Sequence, residues 1–334
     1  MAYRPLFTIS GRLATLLEDI ASLRTLVAAA TVQVPWVPRL QRDARVRNTH
    51  SSTAIEGNPL TREQVRVLAD GLDVPAIADR SRQEVLNYLA GLRHIEQHSG
   101  KRRVVQRDVL RLHAIAARGV MDQGEAGRYR DIQVWVGGHR PPPPGRVPGL
   151  VADLLEWWNG PARDWPPVVS AAIVHYRFEE IHPFADGNGR VGRLLALWEL
   201  YRRGFDSQHL FSVDEYYWQD RPRYYRELGA VADRRGDLTG WLEYCAEGVR
   251  VTLEQVRVRI ERLNAAEARP RIVLRPRQEQ LLTFLRDRGP MTPREIREVL
   301  GVSKQGALDI VKPLVAAGLV VRTGTRKSGR YSLA

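Results

Sequence analysis

Within twelve residues, His182-Pro183-Phe184-Ala185-Asp186-Gly187-Asn188-Gly189-Arg190-Val191-Gly192-Arg193, the sequence gathers every group that phosphate chemistry needs. Gly187-Asn188-Gly189 lets the backbone turn tightly into a helix, whose first free amides and positive dipole end then face an anion. Arg190 and Arg193 stand three apart on that helix and offer fork-shaped donors to further phosphate oxygens. Asp186 adds a hard oxygen ligand beside them, suited to a Mg²⁺ ion already shared with phosphates. His182 is the one nearby group that titrates close to neutral pH, and as a neutral imidazole it can take a proton from an attacking hydroxyl. Base, metal ligand and phosphate clamp together describe phosphoryl or nucleotidyl transfer. A calcium loop does not fit: with Gly189 as its sixth residue, Phe184 and Leu195 fall at positions one and twelve, and with Gly187 there Arg193 falls at twelve. A plain turn between helices explains Gly-Asn-Gly, but not the base, the carboxylate and the two arginines around it.

Two helices must hold this loop. One is expected from about Pro167 to Glu180 and the other from about Asn188 to Arg203, ended by Gly204. Helical spacing dominates elsewhere too, as in Leu13, Leu16, Leu17, Ile20 and Leu23, and in Val85, Tyr88, Leu89, Leu92 and Ile95. The protein is therefore read as mainly α. The exception is Tyr129 to Val136, where Ile132, Val134 and Val136 alternate before Gly137-Gly138 and the run Pro141 to Pro144; it predicts a short β-hairpin leading into extended chain. A long helix is expected from about Leu238 to Ala268, followed by a linker at residues 269–276 that carries Arg269-Pro270-Arg271 and Arg275-Pro276.

The chain of 334 residues, 43% apolar, is long enough for two or more packed domains. Its formal charge is +13, and residues 271–334 carry 13 Lys/Arg against 5 Asp/Glu, which favours a polyanionic partner for that end. A lone cysteine, Cys245, lies in the apolar pattern Trp241-Leu242-Cys245-Val249 and reads as a small core residue in a reducing, cytoplasmic setting. Leu26 to Val37 is short and broken by Gln33 and Pro35, so neither a signal peptide nor a membrane span is expected.

The segment His182 to Arg193 resembles the signature of the Fic family, His-x-Phe-x-(Asp/Glu)-Gly-Asn-Gly-Arg-x-x-Arg, at every fixed position. The likeness extends in pattern over most of residues 40–250. Gly127-Arg128-Tyr129-Arg130 with Val134-Trp135-Val136-Gly137 resembles the family's substrate-holding hairpin, the flap, and His175-Tyr176-Arg177-Phe178, Tyr224-Tyr225 and Trp241-Leu242 fit as well. The resemblance implies a helical bundle with a short β-hairpin flap that moves AMP from ATP-Mg²⁺ to a Ser, Thr or Tyr hydroxyl of a target protein. His182 would then be the base, Phe184 the buried anchor of the loop, and Asp186 the Mg²⁺ ligand. Gly187, Asn188 and Gly189 would form the anion cradle, Arg190 and Arg193 would hold the outer phosphates, and Val134, Trp135 and Val136 would bind the target backbone as an added strand. Two other readings stay open: the same site transferring another phosphate-containing group, and a DNA-bound regulator that only senses nucleotide.

Ser52-Thr53-Ala54-Ile55-Glu56-Gly57 ends in an acid at a helix C-terminus, an unfavourable place that calls for a cationic partner. An exposed acid before a turn, with Thr61-x-x-Gln64 capping the next helix, accounts for the local pattern equally well. The run also resembles the family's inhibitory motif, (Ser/Thr)-x-x-x-Glu-(Gly/Asn). That resemblance implies that Glu56 pairs with Arg193 and misplaces ATP; it leaves open whether Glu56 also assists removal of AMP. It further allows a homodimer. Residues 277–334 show three short helical patterns and two apolar stretches around Arg326-Lys327-Ser328-Gly329-Arg330, resembling a winged helix-turn-helix. Ser303, Lys304, Gln305 and Lys312 would lie on its recognition helix, and Arg326, Lys327 and Arg330 in its wing, with either DNA or a protein as partner. The resulting plan is an N-terminal helical region (1–100) carrying the inhibitory helix, a catalytic core (101–268), the linker and the winged helix-turn-helix (277–334).

Overall fold

The computed structural model describes residues 3–30, 37–74, 78–206, 208–267, 274–324 and 329–333. The chain forms two compact units, Met1–Arg257 and Val258–Ala334.

The first unit is helical: α1 (Gly11–Ala30), α2 (Val37–Ile55), α3 (Arg62–Ala69), α4 (Asp79–Gln97), α5 (Gln106–Ala116), α6 (Val147–Asn159), α7 (Pro167–Ile181), α8 (Asn188–Arg202), α9 (Val213–Gln219), α10 (Arg221–Asp233) and the part of α11 (Thr239–Glu267) up to Arg257. At its centre α7 packs on α8, with α2, α4, α5 and α6 around them. Both central helices are buried on nearly every side, as their apolar residues all round require. The buried Glu199 of α8 is satisfied by Trp158 Nε1 at 2.6 Å and Ser170 Oγ at 2.7 Å, which tie α6, α7 and α8 together. Gly91 lets α4 approach α8 closely, since a Cβ there would stand 2.8 Å from Leu194 Cδ1. Thr61 and Gln64 form the expected capping box on α3. The helices around the motif loop match the sequence reading to within a residue at each end.

The predicted flap hairpin is shorter than the alternation suggested. Val136 and His139 exchange backbone hydrogen bonds of 3.0 and 2.9 Å across Gly137-Gly138, and this single bridge is the whole ladder. Two strands without a third partner are marginal, and Pro141 to Pro144 supply no donors to extend the pairing.

The second unit contains α12 (Pro276–Arg288), α13 (Pro293–Leu300), α14 (Lys304–Ala316) and the antiparallel strands β1 (Val320–Thr323) and β2 (Arg330–Leu333). Leu281, Leu285, Ile296, Val311, Leu314, Val320 and Tyr331 make its core. Helix α12 begins at Pro276, one residue inside the expected linker, because proline fits the first helical position. Gly301, in the left-handed region at φ 61°, ends α13, and Ser303 caps α14. Arg326 and Lys327 lie outside the described residues. Among the described residues no helix is long and apolar enough to cross a membrane.

Candidate active site

The loop begins where α7 stops. His182 adopts φ 49° and ψ 62°, a left-handed conformation that costs a non-glycine residue about 1–3 kcal/mol and persists only when its surroundings enforce it. Its N–H donates to Phe178 O at 2.9 Å, and its carbonyl accepts from Arg130 Nε at 2.8 Å. Phe184 is fully buried and stacks on His113, with ring centroids 3.6 Å apart. The Asn188 side chain accepts from Phe184 N and donates to Phe184 O, each at 2.9 Å. That side chain is therefore committed to closing the loop, which leaves only the backbone of Asn188 for a phosphate. Gly187 turns the chain into α8 at φ 78°.

Burial sets the ionisation of this region. His113 Nδ1 accepts from Gly127 N at 2.8 Å, so its Nε2 donates to Asp186 O at 3.0 Å. Desolvation pushes its pKa down to about 4. Burial likewise pushes His182 down to about 4, partly offset by a hydrogen bond to the Glu179 backbone. His182 Nδ1 faces Glu179 Oε2 at 3.7 Å, and burial drives that carboxyl up to about 8. Gly192 leaves the room: a Cβ there would collide with Glu179 Oε1. A neutral imidazole at neutral pH is the form that accepts a proton.

His113, His175 and His182 all have folded-state pKa values lowered from 6.5, to about 4, 3 and 4. Their contribution is complete above pH 6.5 and is lost as the pH falls toward 4. Thermal unfolding is expected to show a falling midpoint over that window, with the His182 ring signals in NMR unmoved between pH 7.5 and 5.5. A His182 titration centred near 6.5 would contradict the buried neutral base.

Arg193 is almost wholly enclosed. Its Nε donates to Ser52 Oγ at 2.7 Å, and its Nη2 donates to Ser52 O at 3.0 Å and to Glu56 Oε1 at 2.7 Å. Asp214, which accepts from Tyr88 Oη at 2.8 Å, stands 4.0 Å from Arg193 Nε. Glu56, just past the end of α2, also lies against the glycine turn, since a Cβ on Gly189 would collide with its Oε1. Arg190 is buried between Asp186, 3.7 Å from its Nη2, and Glu84, 4.0 Å from its Nη1. Its Nε and Nη1 have no hydrogen-bond partner among the described residues. A buried guanidinium left this way has donors to spare. Asp186 is partly exposed beside it and accepts from Gly187 N at 2.5 Å. Among the described residues no cluster of three metal-ligating side chains exists, so a Mg²⁺ ion fits here only if phosphates and water supply most of its ligands, as Mg²⁺ prefers.

Val134, Trp135 and Val136 line the flap, where Trp135 is 66% exposed with Arg140 over its ring. Arg130 fastens this segment to the loop. Its guanidinium donates to His182 O, Ile132 O at 3.0 Å and Pro142 O at 2.5 Å, and its N–H donates to Pro183 O at 3.0 Å.

The structure thus brings His182, Asp186, Gly187, Gly189, Arg190, Arg193, Ser52 and Glu56 to one place. Sequence reasoning named Arg130 only as part of the flap pattern, without a role, and missed His113, Glu179, Glu84 and Asp214. Glu179 carried a signal, since it stands three residues before His182 at the end of the same helix; the others are joined to the loop only by long-range contacts. In the second unit, Ser303 accepts from Gly306 N at 3.1 Å as the cap of α14, and Lys304, Gln305 and Lys312 are exposed along that helix. Arg330 is exposed and donates to Pro290 O at 3.0 Å.

Residues 104–200 match the Fic/DOC family and residues 274–330 the MarR family, which identifies the second unit as a MarR-type winged helix. Over 241 residues, 71% of the chain, it is 30% identical to Protein adenylyltransferase Fic of Drosophila ananassae, and over 219 residues it is 32% identical to the protein of that name in Drosophila grimshawi. These alignments cover 47% and 44% of those proteins, so the chain spans about half the length of the curated relatives it matches. Among solved structures, a Fic family protein from Desulfovibrio desulfuricans G20 is 31% identical with a TM-score of 0.68, covering 99% of this chain and 98% of that one. Fic-1 from C. elegans is 26% identical with a TM-score of 0.62, covering 74% of this chain and 73% of that one. With the signature complete, its residues converging on one loop, and a relative matched end to end, the chain belongs to the Fic family.

Proposed function

We propose that this protein transfers AMP from ATP to a Ser, Thr or Tyr hydroxyl of a target protein and is held off at rest by Glu56. The observation that carries the reading is the convergence of a neutral imidazole, one carboxylate and two buried arginines on a single glycine turn, with Glu56 already bonded to one of the arginines. Curated relatives named for adenylyl transfer support the choice of AMP.

His182 Nε2 takes the proton of the target hydroxyl as its oxygen attacks the α-phosphorus; the bond to the β-phosphate bridging oxygen breaks and pyrophosphate leaves. Backbone amides of the Gly187–Gly189 turn and the Arg190 guanidinium hold phosphate oxygens. Asp186 would hold Mg²⁺, which neutralises phosphate charge when bound. The flap offers its unpaired edge to the target as an added strand, which positions a hydroxyl with little demand on sequence. Glu56 occupies the Arg193 fork and crowds Gly189, so a triphosphate must enter in a displaced pose. ATP labelled at the α- or the γ-phosphate tests the group transferred: α-label should stay on protein and γ-label should not. Retention of γ-label would assign the site to phosphate transfer.

The winged helix is proposed to bind DNA through Lys304, Gln305 and Lys312 on α14, with Arg330 on the wing. The MarR likeness and the exposure of these side chains support this. The Lys304→Gln/Lys312→Gln variant should weaken duplex binding and lower the slope of log K against log salt by about 2, at about 0.9 per lost phosphate contact. Absence of duplex binding at low salt would favour a protein-docking role.

A further inference from the structure

Glu179 lies in the last turn of α7, three residues before His182. Its Oε2 stands 3.7 Å from His182 Nδ1, and both side chains are nearly closed to solvent, at 10% and 15% exposure. Apart from the Glu179 backbone contact, Nδ1 has no hydrogen-bond partner among the described residues, and Glu179 Oε1 has none. Two buried polar groups left open beside each other call for an explanation. Their space is kept by α8, where a side chain in place of Gly192 would strike the carboxyl.

Charged groups from several elements meet here. Burial raises the Glu179 pKa to about 8, Arg193 of α8 lowers it, and Glu56, past the end of α2, raises it. Tyr224 of α10 faces the carboxyl as a neutral phenol. The His182 ring is faced by Arg130 and His139 of the flap segment and by Glu56. A base that takes a proton at Nε2 must already carry one at Nδ1, and its imidazolium needs a counter-charge once formed. A backbone carbonyl meets the first condition; only a carboxylate meets both.

We propose that Glu179 is the positioning residue of His182, an inference that rests on the AMP transfer proposed above. As a carboxylate it accepts the Nδ1–H, keeps Nε2 open to the target hydroxyl and offsets the imidazolium charge. The bond from the hydroxyl oxygen to the α-phosphorus forms while the bond to the β-phosphate bridging oxygen breaks. The hydroxyl proton moves to Nε2, the Nδ1 proton stays on the ring, and pyrophosphate leaves. The arrangement also joins base to brake. Without Glu56, one of the two influences holding Glu179 neutral is gone and Arg193 remains, so the carboxyl ionises at lower pH. The ionised form is the working one, so the rate rises with pH through the Glu179 pKa.

The test compares Glu56→Gly with Glu56→Gly/Glu179→Gln, using saturating α-labelled ATP-Mg²⁺ at a series of pH values below about 8. Glutamine keeps the shape and an acceptor oxygen but not the charge. Labelling is expected to fall by about 10- to 100-fold, the effect of a charge-assisted hydrogen bond made only in the transition state. ATP affinity should be unchanged, and the rise of rate with pH should flatten. In ¹⁵N spectra of the histidine rings, Glu56→Gly should hold His182 as the Nδ1–H tautomer, and the double variant should admit the Nε2–H form. That readout needs no transfer, and a merely structural carboxyl would leave it unmoved. Equal labelling with equal pH dependence, or an unchanged His182 tautomer, would overturn this role and leave the transfer reading standing. A loss confined to ATP affinity would make Glu179 a binding group instead. No labelling by Glu56→Gly itself would remove the transfer reading, and the role of Glu179 with it.

Discussion

Glycine in place of Glu56 is expected to raise incorporation of α-labelled AMP into the protein itself by on the order of 10²-fold, the scale on which a misplacement of about 1 Å affects an oriented reaction. The expectation rests on where the carboxylate sits. Its Oε1 bonds Arg193 Nη2 at 2.7 Å and lies against Gly189. Removing it frees the arginine fork and the space above the glycine turn together. The guanidinium itself stays in place through Ser52 Oγ and Ser52 O. An aspartate at position 56 separates the two contributions: it keeps the charge but shortens the reach, and intermediate labelling is expected. Labelling by Glu56→Gly at or below the wild-type level would reduce Glu56 to an ordinary helix-end acid.

Alanine at His182 is expected to lower labelling by about 10² to 10⁴, the usual contribution of a positioned base, while ATP binding stays close to wild type. Binding should survive because the phosphate-holding groups belong to Gly187, Gly189, Arg190 and Arg193, and because the loop is closed by Asn188 and Phe184, which the substitution does not touch. The left-handed backbone at position 182 is held by Arg130 and Phe178. Alanine tolerates it no better than histidine, so a small loss of thermal stability is expected as well. Isothermal titration with a non-hydrolysable ATP analogue separates the effects; a large loss of affinity would make His182 a binding residue and not a base.

Most of this site was legible because its chemistry is compressed into the twelve residues of one loop and its flanking helices announce themselves locally. Pro167 opens α7 and Gly204 follows α8, so their limits were set by short-range rules. The pairing of Glu56 with Arg193 spans 137 positions, and it was reachable only through a motif resemblance. Arg130 lies in the stretch that resembles the flap, but its role does not follow from that pattern. Its bond to the His182 carbonyl crosses 52 positions, and nothing in the pattern around Tyr129 shows that one guanidinium will fasten flap, proline run and catalytic loop. The use of the Asn188 side chain was hidden for a similar reason. A Gly-Asn-Gly turn looks like an anion cradle, whereas the use of the amide side chain depends on a buried Phe184 backbone that periodicity does not reveal. Alternation in Ile132, Val134 and Val136 reads as a β-hairpin, but it cannot say how far the pairing runs, and only Val136 and His139 pair.

Incubating α-labelled ATP with wild type, Glu56→Gly and Glu56→Gly/His182→Ala under identical conditions tests the proposed transfer and the proposed brake together. Weak labelling of wild type, strong labelling of the single variant and its loss in the double variant is the predicted pattern. Equal labelling of all three would contradict both the base and the brake.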